Sequence, residues 1–238
     1  MTWARSPGEL VLCFNRDEQH SRAVSLPPRL WNEGFLAPTD VTAGGTWLAV
    51  RRDGVVLALL NHYPKDFQRR YDASSRGALV AALAGAGAKP SIELMRELGV
   101  KNTNPFRLVV LGLRQETEIF TWDGKKLTRK RHDDDAGFIT SSSWNTKAVT
   151  ASRQGMFRAW LRRNPTPTMA AMRAFHCLPT HPRGSAYAVC MWRPDARSVS
   201  LNTVRMTAFH AEMTQQPRDM NEPSFSIFRH ETGFVLAA

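Results

Sequence analysis

The segment ELVLCFNRDE, residues 9–18, is an apolar run that ends in four consecutive polar residues. Residues 9–14 predict a short β-strand, and residues 15–18 place an amide, a guanidinium and two carboxylates at its end. A strand end that opens into a loop is a common location for a functional site. The same residues are also compatible with a surface turn, in which Asn15 and Asp17 satisfy the local backbone and Arg16 pairs with Glu18.

On either side of this segment, strand-like and helix-like patterns alternate. An Asp53-Gly54 turn between two apolar runs predicts a β-hairpin, and a helix pair follows it. The predicted elements are strands at 9–14, 46–51, 55–60, 106–113, 117–122 and 126–129, helices at 76–86, 92–98, 149–161 and 169–177, and a further hairpin from 186–192 and 198–206. The order β, αα, β, αα, β predicts an α+β fold of two packed antiparallel sheets covered by helices, in one domain over residues 1–238.

The chain carries 32 Lys and Arg against 21 Asp and Glu, a formal net charge of +11. This surplus requires nucleic acid, an anionic membrane surface and an acidic substrate to be considered as partners. The basic residues are mostly dispersed in short pairs, and no helix-turn-helix, zinc-finger or RNA-binding aromatic motif accompanies them. We therefore predict a solvated basic surface and no nucleic-acid partner.

Three cysteines, Cys13, Cys177 and Cys190, share no CxxC spacing and cannot pair completely, which argues against a disulfide scaffold or a Cys-rich zinc site. The histidines show no HxH or HxxxH spacing, so we predict neither a metal nor a cofactor. The amino terminus lacks the apolar core of a signal peptide, and no apolar run is long enough to span a membrane. A cytoplasmic protein without an integral membrane segment is expected.

Further polar and glycine-rich motifs lie beside the predicted strands. Gly44 and Gly45 precede Thr46 and Trp47, where glycine allows positive φ and close backbone approach. Asn61 ends the second strand of the hairpin. Arg76 follows Ser75 at a predicted helix start, where it can help hold an anion or simply follow an N-cap.

These motifs occur in an order that resembles the NRDE family, also called the transport and Golgi organization 2 family. The resemblance rests on NRDE at 15–18, Arg22, GGTWL at 44–48, Leu60-Asn61, SRG at 75–77, Pro105-Phe106, WDG at 122–124 and TSSS at 140–143. The family is placed with the N-terminal-nucleophile hydrolases. The resemblance therefore implies a four-layer αββα sandwich and a cysteine-type amidase or acyl hydrolase acting on a small amide.

The resemblance also implies which residues form the site. Asn15, Arg16 and Asp17 are the catalytic candidates, and Arg16 is expected to be held by a nearby acid. The substrate-binding candidates are Glu18, Arg22, Gly44, Gly45, Thr46, Trp47, Asn61, Arg76 and Ser142. We expect residues 15–18 and 44–47 to meet in space.

The nucleophile is where this sequence departs from the family pattern. Members usually begin Met-Cys, whereas this chain begins Met1-Thr2-Trp3, so the expected cysteine falls a few residues before Met1. We expect the chain as written to be inactive as an amidase and a version that begins Met-Cys to be the gene product. Thr2, exposed by removal of Met1, is the other candidate nucleophile. Cys13 is predicted to be a buried strand residue and no substitute.

A non-catalytic role is the alternative interpretation. In this alternative the sandwich and its pocket are kept, and the protein carries or binds a hydrophobic ligand such as haem or lipid. A cysteine codon just upstream favours the enzyme, whereas ligand binding without that cysteine favours the carrier. The substrate and the oligomeric state are not indicated by the sequence.

Overall fold

Two antiparallel sheets and four α-helices make up residues 1–218 and 230–235, the part of the chain that the computed structural model describes. The strands are β1 (Thr2–Ser6), β2 (Glu9–Gln19), β3 (Leu26–Leu30), β4 (Leu36–Thr39), β5 (Leu48–Val50), β6 (Val55–Asn61), β7 (Phe106–Gly112), β8 (Gln115–Trp122), β9 (Leu127–His132), β10 (Ala136–Phe138), β11 (Ala196–Thr207), β12 (His210–Pro217) and β13 (His230–Val235). The helices are α1 (Arg76–Gly85), α2 (Ile92–Glu97), α3 (Thr146–Arg163) and α4 (Met169–His176).

Each sheet has a simple strand order. Sheet I runs β10-β1-β2-β11-β12-β13, and sheet II runs β3-β4-β5-β6-β7-β8-β9. In sheet I the first strand of the chain, β1, pairs with β2 so that Thr2 faces Cys13. The N-terminal end of β1 therefore points toward the polar end of β2.

The two sheets pack face to face, and sheet II is covered by helices on its other face. The central strand β6 shows this most clearly, because its successive side chains point to opposite faces. Val56, Ala58 and Leu60 lie in the core between the sheets. Leu57 and Leu59 lie in a second core beneath α1 and α2. Burial on both faces explains why this strand is an unbroken apolar run.

The outer face of sheet I is covered by α3 and α4. Cys13 of β2 packs with Met172 of α4, and Phe138 of β10 stacks on Phe157 of α3 with ring centroids 5.1 Å apart. The layer order is therefore helix, sheet, sheet, helix. The prediction of an α+β, four-layer αββα sandwich is confirmed.

Serine side chains cap the two helices that cover sheet II. The Ser75 hydroxyl accepts from the backbone N–H of Ala78 at the start of α1, at 3.3 Å. The Ser91 hydroxyl accepts from Leu94 at the start of α2, at 3.1 Å. Each hydroxyl satisfies a backbone donor that the first helical turn leaves free.

One predicted hairpin is wrong. Residues 198–206 form most of β11, but β11 pairs with β2 and β12, and residues 186–192 form no strand. Residues 188–191 are all buried, and Val189 packs with Phe157 of α3. Their backbone is satisfied locally: Cys190 N–H donates to the Leu178 carbonyl, and Met191 N–H donates to the Ser198 hydroxyl.

Candidate functional site

A cavity of about 680 Å³ opens where the end of β2 meets the ends of β5 and β6. Residues 15–18 of β2 line it together with Trp47, Asn61 and residues 140–143. The expectation that the NRDE segment and the segment at Trp47 meet in space is confirmed. Of the predicted site residues, those that line the cavity are Asn15, Arg16, Asp17, Glu18, Arg22, Thr46, Trp47, Asn61, Arg76 and Ser142.

The strand geometry of β2 sends its polar side chains to two sides. Leu12 and Phe14 point into the core between the sheets, so Arg16 points toward sheet II. Cys13 points toward the helices on sheet I, and Asn15 points the same way. Asp17 also lies on the side of the helices. Beside it, β11 carries a bulge between Ser198 and Ser200 that shifts the register of its pairing with β2. Neighbouring residues of β2 therefore contribute side chains to two opposite walls of the cavity.

Arg16 is fixed on the sheet II side. Its guanidinium lies 3.3 Å from Asp40 and 3.6 Å from Glu18, and it stacks over the Trp47 ring at 4.7 Å. The side chain is only 7% exposed. Arg22 contacts the same two acids, at 2.7 Å to Asp40 and 3.3 Å to Glu18. The prediction that a nearby acid holds Arg16 is confirmed, with Asp40 as the nearest.

Asp40 is held ionised by its partners. Burial alone would raise the pKa of this carboxyl, but the hydrogen bond and charge of Arg22 and the charge of Arg16 lower the pKa below its ordinary value. Its other oxygen accepts from the backbone of Thr42 and Ala43 at 3.1 and 3.3 Å. The acid therefore connects the arginine pair to the turn that leads into Gly44 and Gly45.

Gly44 and Gly45, two of the predicted substrate-binding residues, do not line the cavity. Gly44 has φ +66°, in the left-handed region, which closes the turn after Asp40. A Cβ on Gly45 would lie 2.3 Å from the backbone of Gly77, so the chain can pass the start of α1 only without a side chain there. The Thr46 N–H then donates to the Gly77 carbonyl at 3.1 Å. This contact positions Trp47.

Asn15 and Asp17 are held on the side of the helices. Nδ2 of Asn15 donates to the carbonyls of His176 and Val189, both at 2.9 Å, which fixes the orientation of its amide. The carboxylate of Asp17 accepts from the Ser198 hydroxyl at 2.6 Å and lies 4.0 Å from Arg153. Both side chains are therefore held by structure before any ligand arrives.

Arg153 and His176 are cavity residues that sequence reasoning missed. Arg153 is buried and donates to the Thr140 hydroxyl and to backbone carbonyls, those of Ser141, Tyr187 and Ala186. A signal for it exists, because Val149, Arg153 and Phe157 share one buried face of α3 at a spacing of four. Burial lowers the pKa of His176 well below its ordinary value, and its Nε2 lies 3.0 Å from the Thr2 hydroxyl.

Three other predicted site residues have their polar groups engaged. Thr2 does not line the cavity, and its buried hydroxyl contacts His176. The Ser142 hydroxyl donates to the Trp144 carbonyl at 2.6 Å, within a local turn. Nδ2 of Asn61 donates to the Tyr63 hydroxyl at 3.1 Å. A substrate that uses Ser142 as a donor must replace its local bond, whereas Nδ2 of Asn61 has a second hydrogen that it can donate.

The α-amine of Met1 is enclosed at the end of β1 and donates to the Ile139 carbonyl at 3.0 Å. Burial lowers its pKa to about 5, against the smaller raising effect of Asp17. The amine is therefore uncharged at neutral pH. In the unfolded chain the same amine has its ordinary pKa of 8.0.

The stability of the chain with a free Met1 amine is expected to fall as pH is lowered from 8 to 5. In this window the unfolded amine binds a proton and the folded amine does not, so the free energy of unfolding rises with pH. The buried His176 has a lowered pKa and adds to the fall below pH 6.5. The measurement is urea denaturation at several pH values, with Met1 retention checked by mass spectrometry.

Nα-acetylated protein is the control for this pH dependence. Acetylation removes the amine, so the profile should be flat between pH 8 and 6.5 and should keep only the fall near and below 6.5. Identical profiles for the acetylated and free chains would contradict a buried neutral amine.

Cys13 and Cys190 are buried thiols, and Cys177 is half-buried. Burial raises the pKa of Cys13 to about 12 and that of Cys190 to about 11, so neither is a thiolate at neutral pH. Cys13 is fully buried within β2, as predicted. In residues 1–218 and 230–235, no group of three or more His, Cys, Asp or Glu could hold a metal ion.

None of the helices in the described ranges has the length and apolar character needed to cross a membrane.

Comparison with solved structures shows the fold type. The Caenorhabditis elegans ortholog of N-acylethanolamine-hydrolyzing acid amidase superposes with a TM-score of 0.55 at 11% sequence identity, over 87% of this chain and 91% of that one. Penicillin V acylase from Agrobacterium tumefaciens gives a TM-score of 0.52 at 10% identity, over 91% and 81%. Both have the N-terminal-nucleophile hydrolase fold, and this chain shares it.

Sequence comparison gives the family. A search of curated proteins finds no significant match to this chain. A model of the family described as Transport and Golgi organisation 2 matches residues 2–176, which is most of the chain and includes the NRDE segment, Trp47, Asn61 and Arg153. The chain therefore belongs to the Transport and Golgi organisation 2 family.

Proposed function

We propose that the cavity is the active site of an amidase or acyl hydrolase whose nucleophile belongs at the β1 end of the cavity. The observation that carries the proposal is the register of β1 and β2. Thr2 faces Cys13, and the partners advance by one residue at each step, so a residue two positions before Met1 would face Arg16. A nucleophile there would stand beside the guanidinium of Arg16 and near the carboxylate of Asp17.

Arg16 and Asp17 have the chemistry that such a nucleophile needs. A guanidinium beside a thiol favours the thiolate, which is the reactive form. A carboxylate near the α-amine of the same residue can orient that amine as the base that takes the thiol proton. The thiolate then forms a bond to the amide carbonyl carbon, the proton passes to the leaving amine as the C–N bond breaks, and water hydrolyses the thioester.

Two buried polar atoms of the cavity wall also match an amide. Nε1 of Trp47 and Oδ1 of Asn15 have no hydrogen-bond partner among the described residues. Buried polar atoms usually have partners, so an orphaned donor and an orphaned acceptor in a cavity wall suggest ligand groups. An amide supplies both a carbonyl oxygen and an N–H.

The alternative is a carrier for a hydrophobic ligand such as haem or lipid. The residues that line the cavity support it less well. Pockets for such ligands are predominantly apolar. This cavity is lined by many charged side chains, including Arg16, Asp17, Glu18 and Arg153.

The test is a chain with Met-Cys-Val placed before Met1, compared with a matched chain that carries Met-Ala-Val. After removal of the initiator methionine, the added cysteine should be alkylated rapidly and stoichiometrically, while Cys13, Cys177 and Cys190 stay unlabelled in mass spectra. Only the cysteine chain should release amine from a panel of N-acyl amides. Equal inertness of both chains, together with tight haem or acyl-lipid binding, would favour the carrier instead.

A further inference from the structure

The cavity wall carries more positive than negative side chains. Among the described residues that line it there are seven arginines and four acids. The arginines are Arg16, Arg22, Arg69, Arg70, Arg76, Arg153 and Arg193, and the acids are Asp17, Glu18, Asp40 and Asp195.

The four acids lie beside only some of these arginines. Asp40 and Glu18 bind Arg16 and Arg22, as described above. Asp195 lies 3.0 Å from Arg193, and Asp17 lies 4.0 Å from Arg153. The remaining three arginines follow Asn61 in the chain and form one wall of the cavity, which we call the arginine wall: Arg69, Arg70 and Arg76.

No acidic side chain lies within 4 Å of any arginine-wall guanidinium in the described part of the chain. Arg76 donates to the Pro105 carbonyl at 3.1 Å, and Arg70 donates to the Lys101 carbonyl at 3.5 Å. Arg69 stacks over Tyr71 at 5.3 Å. The wall's direct contacts are carbonyl oxygens and a ring face, and the negative charge of Glu18 acts on Arg76 only from beyond 4 Å.

Of the three arginines, Arg76 loses the most hydration, because it is the one that is half-buried. Its side chain is half-buried at the first position of α1, and burial lowers its pKa. Removing a cation from water without an anion is unfavourable. An anionic group that enters the cavity would recover that cost through charge-assisted, bidentate hydrogen bonds, for which the guanidinium is well suited.

We infer that the substrate of this site is an amide that carries an anionic group, a carboxylate, sulfonate or phosphate, bound by Arg76 with Arg69 and Arg70 at the rim. The inference rests on the proposed function for the amide part and on the arginine wall for the anionic part. Binding of the anion requires no nucleophile, so the two parts can be tested separately.

The experiment is calorimetric binding of matched ligands to the chain of 238 residues. N-acylglycine is compared with N-acylglycinamide, which has the same acyl chain and no charge. The anionic ligand is expected to bind at least about 10-fold more tightly, since a hydrogen bond to a charged group contributes about 1.5–3 kcal/mol. N-acyltaurine and an N-acyl phosphoethanolamine then distinguish carboxylate from sulfonate and phosphate.

Variants show whether the arginine wall is responsible. Arg76→Gln should reduce the preference for the anionic ligand to about threefold or less, whereas Arg114→Gln removes the same charge from an exposed turn outside the cavity and should leave it unchanged. If Arg76→Gln does not fold, the exposed pair Arg69→Gln and Arg70→Gln should still lower the preference. Equal binding of the two ligands, or equal effects of Arg76→Gln and Arg114→Gln, would overturn the inference.

Failure of this inference is distinguishable from failure of the proposed function. If the cysteine-bearing chain hydrolyses neutral and anionic amides equally well, the amidase stands and the arginine wall has no role in specificity. If anionic ligands bind selectively but no chain releases amine, the anion site stands and the amidase fails.

Discussion

Gly45→Ala is expected to lower the free energy of unfolding by about 3 kcal/mol or more, because the new Cβ would overlap backbone atoms that cannot move aside. An alanine Cβ at this position would lie 2.3 Å from the carbonyl carbon of Gly77 and 2.5 Å from the N of Ala78. Those atoms belong to the first turn of α1, which is anchored by the Ser75 cap and by Leu79 and Val80 in the core beneath it. A domain is typically stable by only about 5–15 kcal/mol, so the loss is severe.

Gly44→Ala is the matched control, since it adds the same methyl group one residue earlier. No atom lies within 4 Å of its Cβ position, and its only penalty is the left-handed φ of +66°, which costs about 1–2 kcal/mol. Urea denaturation followed by tryptophan fluorescence measures both variants. Equal losses for the two would show that backbone conformation, and not the contact with α1, explains the paired glycines.

The sequence predicts the elements correctly where a local signal, such as a turn or a helix cap, coincides with a pattern of buried apolar residues. The apolar run of β6 and its Asp53-Gly54 turn specify a strand that is buried on both faces, and Ser75 marks a helix start. The same kind of pattern wrongly predicts a strand at residues 186–192. Residues 187–191 are apolar and buried like a strand, but the strands that pair with β11 are β2 and β12, and both lie outside the predicted hairpin. Pairing between distant segments is not encoded in the local pattern.

Part of the candidate site was also predictable from the sequence, namely the part that lies in recognisable motifs. The NRDE segment and Trp47 are recognisable because their motifs follow the order and spacing of the family that the sequence resembles, and both line one cavity. Arg153 and His176 come from the helices that cover sheet I, where the position of Arg153 on the apolar face of α3 indicates burial but not a place in the cavity. The paired glycines identify Gly45 as a site of close approach, but the sequence could not indicate that α1, and not a ligand, approaches it.

Arg16→Ala is expected to lower the rate of amide hydrolysis strongly and the free energy of unfolding only slightly. In the chain that carries the added cysteine, loss of this guanidinium should slow amide hydrolysis by about 10²–10³-fold, the usual effect of removing a preorganised charged donor from an active site. The fold should lose only about 1–2 kcal/mol, because Asp40 and Glu18 keep Arg22 at 2.7 and 3.3 Å and neither acid is left alone.

The rate of cysteine alkylation as a function of pH gives a readout that a merely structural role would not change. If Arg16 stabilises the thiolate, Arg16→Ala should raise the apparent pKa of the added thiol, and Arg16→Lys should restore part of the shift. Arg22→Ala is the matched control. It removes the closer partner of Asp40, but it leaves the guanidinium that the register of β1 places opposite the nucleophile. Its stability loss should equal or exceed that of Arg16→Ala, while its thiol pKa stays near that of the parent chain. A variant of Arg16 that loses stability without changing the thiol pKa would show that the arginine only holds the acids in place.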